Sequence, residues 1–336
     1  MDRESVETTL SWSDRLGSFR IKVGNYVPTM ANGKARQQVE LPAEVTPVGP
    51  GSVAVRTALT RGVERMLQSD PAARQGVAEG VHGMRTSTRR LRSALRTFGT
   101  LVKAEWSLPL EQELKWLAEV LGAVRDLDVL RDRLLRASGD APEALAPLFR
   151  TLAVEHERAS GRLKAVLQGD RYRALIDLLE QSVIVTPVRR DAEKLRRSEL
   201  PSLVGEAWKS VKKRGRALRP TDPDKDFHEV RKRAKRARYA AEDVADALGK
   251  NRAQEARRFA ELATKVQDIL GEHQDAIVAA QEISRIVALH PYDIPFTLAA
   301  HRLFKRQMRL ADRSRERFFK VWNQLDRKKN CRWLNP

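Results

Sequence analysis

At 336 residues, 41% of them hydrophobic, the chain is long enough for one large or two moderate domains around a sizeable packed core. Against 44 acidic residues stand 63 Lys and Arg, a formal charge of +19 that points to an anionic partner without saying which. The single cysteine, Cys331, excludes an internal disulfide framework and a cysteine-based zinc site. With no signal-like apolar start and no run of about 18 apolar residues, a cytoplasmic protein that neither spans nor binds a membrane is expected.

Residues 1–50 carry Pro28, Pro42, Pro47 and Pro50 with Gly33 and Gly49, punctuation that reads as an N-terminal tail or linker. From Val53 onward apolar residues recur every three or four positions, with almost no alternation of strand length, so the predicted class is all-α. The seam is clearest in Val81, Met84, Thr88, Leu91, Leu95 and Phe98, which step along one helical face. A second segment, Phe227, Val230, Ala234, Ala237, Ala241, Val244 and Leu248, repeats it, and His82 and His228 stand at matching places 146 residues apart (228 − 82).

Behind each of these helices the same order returns: Leu121-Gly122 then Asp126, and Leu270-Gly271 then Asp275. Leu148, Arg150, Arg158 and Arg162 likewise match Leu303, Lys305, Arg313 and Arg317. The expected architecture is two four-helix bundles related by pseudo-twofold symmetry, residues 51–186 and 187–328, with a C-terminal tail at 329–336. Residues 171–186 have no counterpart and read as an extra helical connector. Breaks are expected at Ser69-Asp70-Pro71, Gly139-Asp140-Ala141-Pro142, Arg219-Pro220 through Pro223, and His290-Pro291, where Pro sits beside capping residues.

Beside the first seam runs a basic stripe of His82, Arg85, Arg89, Arg90, Arg92 and Arg96. Beside the second runs another of His228, Arg231, Lys232, Lys235, Arg236 and Arg238. A solvated face would intersperse acids, whereas the like-charge pairs Arg85–Arg89 and Arg92–Arg96 cost roughly 0.2–0.5 kcal/mol each. No acid falls between His82 and Leu101 to relieve them, so an external anion is the simpler account. Further runs, Lys212, Lys213 and Arg216, then Arg302, Lys305, Arg306, Arg309 and Arg313, are expected to line the same channel. Arg offers bidentate hydrogen bonds to phosphate oxygens, and two histidines in a basic field should stay neutral until an anion arrives.

The motifs His82-x-x-Arg85-x-x-x-Arg89-Arg90-Leu91-Arg92 and His228-x-x-Arg231-x-x-x-Lys235-Arg236-x-Arg238-Tyr239 resemble the CHAD domain, the conserved histidine α-helical domain, over roughly residues 53–326. Leu121-Gly122-x-x-Arg125-Asp126-Leu127-Asp128-Val129 resembles its second hallmark. The resemblance implies a basic central cavity that binds inorganic polyphosphate, often in proteins tied to polyphosphate granules. Asp126, Asp275 and Tyr239 are expected to support the cationic rows. The second half departs from the pattern with Gln274 in place of Arg125 and Ile277 in place of Asp128.

No P-loop, HExxH helix or cysteine nucleophile motif occurs, so no enzyme, metal or cofactor is expected. Phosphoryl transfer through His82 or His228 is the catalytic alternative. Glu111-x-Glu113-x-Lys115 matches the ExExK pattern of triphosphate tunnel enzymes, but a helical period turns the two glutamates apart. Nucleic acid is the rival polyanion, bound weakly if at all: the first row has no aromatic on which bases could stack, and the second has only Tyr239.

Overall fold

The computed structural model describes residues 49–139 and 143–334; the predicted tail before Gly49 lies outside them. Eleven α-helices and no named strand occur among the described residues, so the all-α class holds. The helices are α1 (Pro50–Arg74), α2 (Ala78–Thr97), α3 (Ala104–Ala137), α4 (Ala146–Gln168), α5 (Asp170–Ile184) and α6 (Arg190–Lys194). After them come α7 (Leu200–Ala217), α8 (Asp224–Ala245), α9 (Lys250–Ala288), α10 (Ile294–Leu325) and α11 (Lys328–Cys331). No helix is long and apolar enough to cross a membrane, again among the described residues.

One expected break and the expected C-terminal tail are corrected. Helix α1 runs through Pro71 and stops instead at Gly76, whose φ of 76° suits a residue without Cβ. There Val77 N–H donates to the Ala72 carbonyl and Gly76 N–H to that of Ala73, the paired bonds of a Schellman stop. Asp70 caps no new helix; it accepts from the Tyr172 hydroxyl at 2.5 Å and from Arg74 at 2.7 Å. The segment expected as a C-terminal tail is also structured. Lys328–Cys331 is helical, Arg332–Leu334 forms a 3₁₀ turn, and Trp333 is buried with its ring edge-on to Phe259 at 5.8 Å.

The placement of the apolar core fixes where a site can lie. One large cluster gathers α1 and α2, Leu110–Val124 of α3, α7 and α8, Ala253–Leu270 of α9, and Phe318, Trp322 and Leu325 of α10. A second, separate cluster joins Leu130 and Leu134 of α3 to Leu148 and Leu152 of α4, Ala279–Ile286 of α9 and Phe296–Leu303 of α10. Helices α3 and α9, about 50 and 60 Å long at 1.5 Å per residue, pass through both. Between the clusters α3 presents Arg125, Asp126 and Asp128, and α9 presents Glu272, Gln274 and Asp275. The polar hallmarks therefore occupy the gap between two apolar layers.

Candidate functional site

Helices α2 and α8 begin near this gap, with His82 and His228 each at the fifth helical position, where the positive end of the helix dipole favours an anion. The two rows act on each other. Burial lowers the pKa of the Arg231 guanidinium; Asp275 opposes this, and Arg89 and Arg85 of the first row lower it further. Lys235 is pushed from 10.5 down to about 6 by burial and then by Arg89, Arg231, Arg85 and Arg238. Cations of both halves thus share one electrostatic field.

The glycines of the hallmark sequence have a physical role here. The Arg85 guanidinium lies against the bare face of Gly122, 3.8 Å from where a Cβ would sit, and Arg231 lies over Gly271 at 3.5 Å in the same manner. One turn further along α3, Asp126 accepts from Arg85 at 2.8 Å. Asp275 faces Arg231 through its charge, and burial raises its carboxyl pKa.

Both histidines are held toward the neutral form. Burial first, then the charges of Arg125, Arg85 and Arg89, lower His82 below 6.5. Burial, Arg231 and Lys232 lower His228, while a hydrogen bond with Gln274 opposes them. The departure at Gln274 thus has a meaning: at matching positions Arg125 repels one histidine and Gln274 bonds the other. The departure at Ile277 is also compensated. Asp128 pairs with His156 at 2.8 Å in the first half; in the second, Ile277 packs in a small apolar cluster with Ala311, the residue that matches His156.

The expectation that no acid relieves the first row is corrected, because the acids come from other helices. Arg90 reaches Glu242 of α8 at 2.7 Å, and Glu111 of α3 takes Arg96 and lies 3.9 Å from Arg92. Arg238 also leans on Glu242 at 3.4 Å, and Lys232 pairs with Glu229. Arg236 sits beside Arg96 and Arg233, apart from its neighbour Lys235. Four row cations have no carboxylate within ion-pair distance among the described residues: Arg89, Arg231 and Lys235, which share one field beside Arg85 and the histidines, and Arg236, which lies apart from them. Tyr239 is buried between the guanidiniums of Arg90 and Arg238, at 5.0 and 4.6 Å from its ring centre.

Of the outlying basic runs, the one on α7 is engaged away from this cleft. Arg216 pairs with Asp326 at 2.6 Å, and Lys212 lies near Cys331 with it, on the side where α7 meets α11; Lys213 is exposed. Arg306 donates to the Ala137 carbonyl at the end of α3, while Arg302, Lys305, Arg309 and Arg313 stay exposed on α10. Spacing along one helix cannot show which way that face turns. Residues not singled out do enter the polar layer: Arg133 donates to the buried Gln307 at 2.7 Å and pairs with Glu272 at 3.2 Å, joining α3 to α9 and α10. Its only sequence signal was continuing the Arg125 face two turns on. His228 Nδ1, Arg125 Nε, Arg133 Nη2 and Arg231 Nε are buried and have no hydrogen-bond partner among the described residues.

The ExExK glutamates diverge as a helix requires, Glu111 toward α2 and Glu113 toward Arg171 of α5 at 2.7 Å. His273, fully buried, accepts from Arg315 Nε at 3.1 Å, lies 3.0 Å from Asp224 and packs on Phe227, pinning the start of α8.

Comparison with known proteins places this geometry in context. The family model described as the CHAD domain matches residues 57–284. An uncharacterized protein of Mycobacterium tuberculosis strain H37Rv is 31% identical over 303 residues, covering 84% of this chain and 55% of its own length; one from strain CDC 1551 matches equally. The chain thus spans about half the length of the curated relatives it matches. Among solved structures, PptA from Streptomyces chartreusis superposes with a TM-score of 0.67 at 21% identity, covering 81% of this chain and 98% of that one. The CHAD domain from the plant Ricinus communis gives 0.63 at 23%, covering 85% and 95%.

Proposed function

We propose, from the premise that this chain belongs to the CHAD domain family, that it binds inorganic polyphosphate in the cleft between α2 and α8, without catalysis. The observation that carries this reading is the group Arg89, Arg231 and Lys235, drawn from both halves and sharing one field with no carboxylate in ion-pair distance among the described residues, while Arg85 and Arg90 beside them are paired. A chain of phosphates supplies closely spaced negative charge along both rows, and Arg forks match its oxygens bidentately. The unpartnered Arg231 Nε–H, and His228 Nδ1 once an anion has protonated the ring, fit the same ligand. Attachment to polyphosphate granules in the cytoplasm would follow from such binding.

Nucleic acid offers the same phosphates, but Tyr239, the one aromatic in either row, is already covered on its ring by two arginines. The test is a binding panel of long polyphosphate, duplex DNA, single-stranded DNA and ATP at physiological salt. Preference for polyphosphate is expected; equal affinity for DNA removes the assignment.

A further inference from the structure

Away from the cleft, two hollows of about 260 Å³ each flank the C-terminal halves of α2 and α8. They are lined at equivalent positions. Arg61 and Arg65 of α1 border the first, and Glu206 and Ser210 of α7, each 145 positions further along (206 − 61), border the second. Arg90 enters the first opposite Glu242, Asp243 and Asp246. Arg236 enters the second opposite Arg96, Thr97 and Thr100, which match those three acids at an offset of 146 (242 − 96).

The first hollow answers its own cations. Arg90 meets Glu242 at 2.7 Å, and Arg257 and Arg61 both meet Asp246. In the second the acids are replaced by an arginine and two threonines. Arg236 has no ion pair or hydrogen bond with another described residue, and Arg96 is engaged from outside by Glu111. Arg233, which enters only this hollow, gives one amino group to Ser210, lies with the other 3.8 Å from Glu229, and keeps its Nε buried and unpartnered. Glu206, the hollow's one carboxylate, is drawn off by Lys209 at 2.6 Å.

We propose that this second hollow is a binding site for a single phosphate group, which takes the place that the Glu242 carboxylate fills beside Arg90 in the first. Arg236 supplies a guanidinium fork, Arg233 a second donor, and Thr97, Thr100 and Ser210 hydroxyls for the remaining oxygens of a tetrahedral dianion. A carboxylate would use only the fork. This site is separate from the cleft and does not depend on the polyphosphate reading.

The experiment follows the arginine Nε–H signals of the full chain by ¹⁵N NMR while inorganic phosphate, glycerol phosphate or acetate is titrated in. Saturable movement of Arg236 and Arg233 is expected with phosphate, with Arg90, already held by Glu242, standing still. Response to inorganic phosphate alone identifies the free ion as ligand; response to both phosphates extends it to phosphate monoesters. Arg96→Glu, which restores the acid of the matching hollow, should weaken the response at least tenfold. An Arg236 signal that does not move, that moves no more than Arg90, or that answers acetate as well as phosphate overturns the site. The wild-type titration decides this by itself if Arg96→Glu does not fold.

Discussion

Replacing Lys235 with Met should stabilise the ligand-free protein and weaken its hold on polyphosphate. The folded-state pKa of about 6 lies below the ordinary 10.5, so between these values the unfolded chain holds a proton that the folded chain does not. Stability from this residue therefore rises with pH across that window, and the penalty is full below about 6. At pH 7 it amounts to at most about 5 kcal/mol, at roughly 1.4 kcal/mol per pH unit between 7 and 10.5. Relaxation of the site lowers this, and Met keeps the apolar stem, so a gain of about 2 kcal/mol is expected, or roughly 3 °C in Tm. Differential scanning calorimetry with and without long polyphosphate measures both sides. A ligand-free Lys235→Met protein that melts below wild type would refute the reasoning, because the ammonium would then be making a favourable contact.

Polyphosphate affinity should fall as pH rises from 6 to 8, since His82, His228 and Lys235 have lowered pKa values in the empty cleft and an anion raises them again. Calorimetric titration at pH 7 in buffers of different ionisation enthalpy should show net proton uptake, about one proton from Lys235; proton release would contradict it. The pair Asp128–His156 should be exchangeable for the Ile–Ala pair found at 277 and 311. Asp128→Ile or His156→Ala alone should cost about 1–3 kcal/mol in urea denaturation, and the double variant less than the sum; strict additivity would show that the two positions are not coupled.

Helices and their repeat were legible because apolar spacing is local: the seam from Val81 to Phe98 is buried as its period requires, its one polar member Thr88 included. The His-led rows were legible for the same reason, being written twice. What the sequence could not carry was pairing between helices. Glu111 lies 15 residues from Arg96, and Glu242 lies over 150 residues from Arg90, so neither acid is visible from the row it neutralises. The basic face of α10 shows regular spacing too, yet its direction depends on how α10 packs on α9. Pro71 was misread because α1 continues past it for about one more turn, and the stop signal was the glycine at 76. Trp333, close to the end of the chain, has no period around it to announce that it packs on Phe259.

The most direct measurement is the affinity for long polyphosphate of Arg89→Ala, Lys235→Ala and the double variant at fixed salt, with helicity followed by circular dichroism. A cleft in which both halves grip one polyanion predicts a loss of tenfold or more in the double variant at unchanged helicity, with each single change weakening binding. Wild-type affinity in the double variant would contradict it.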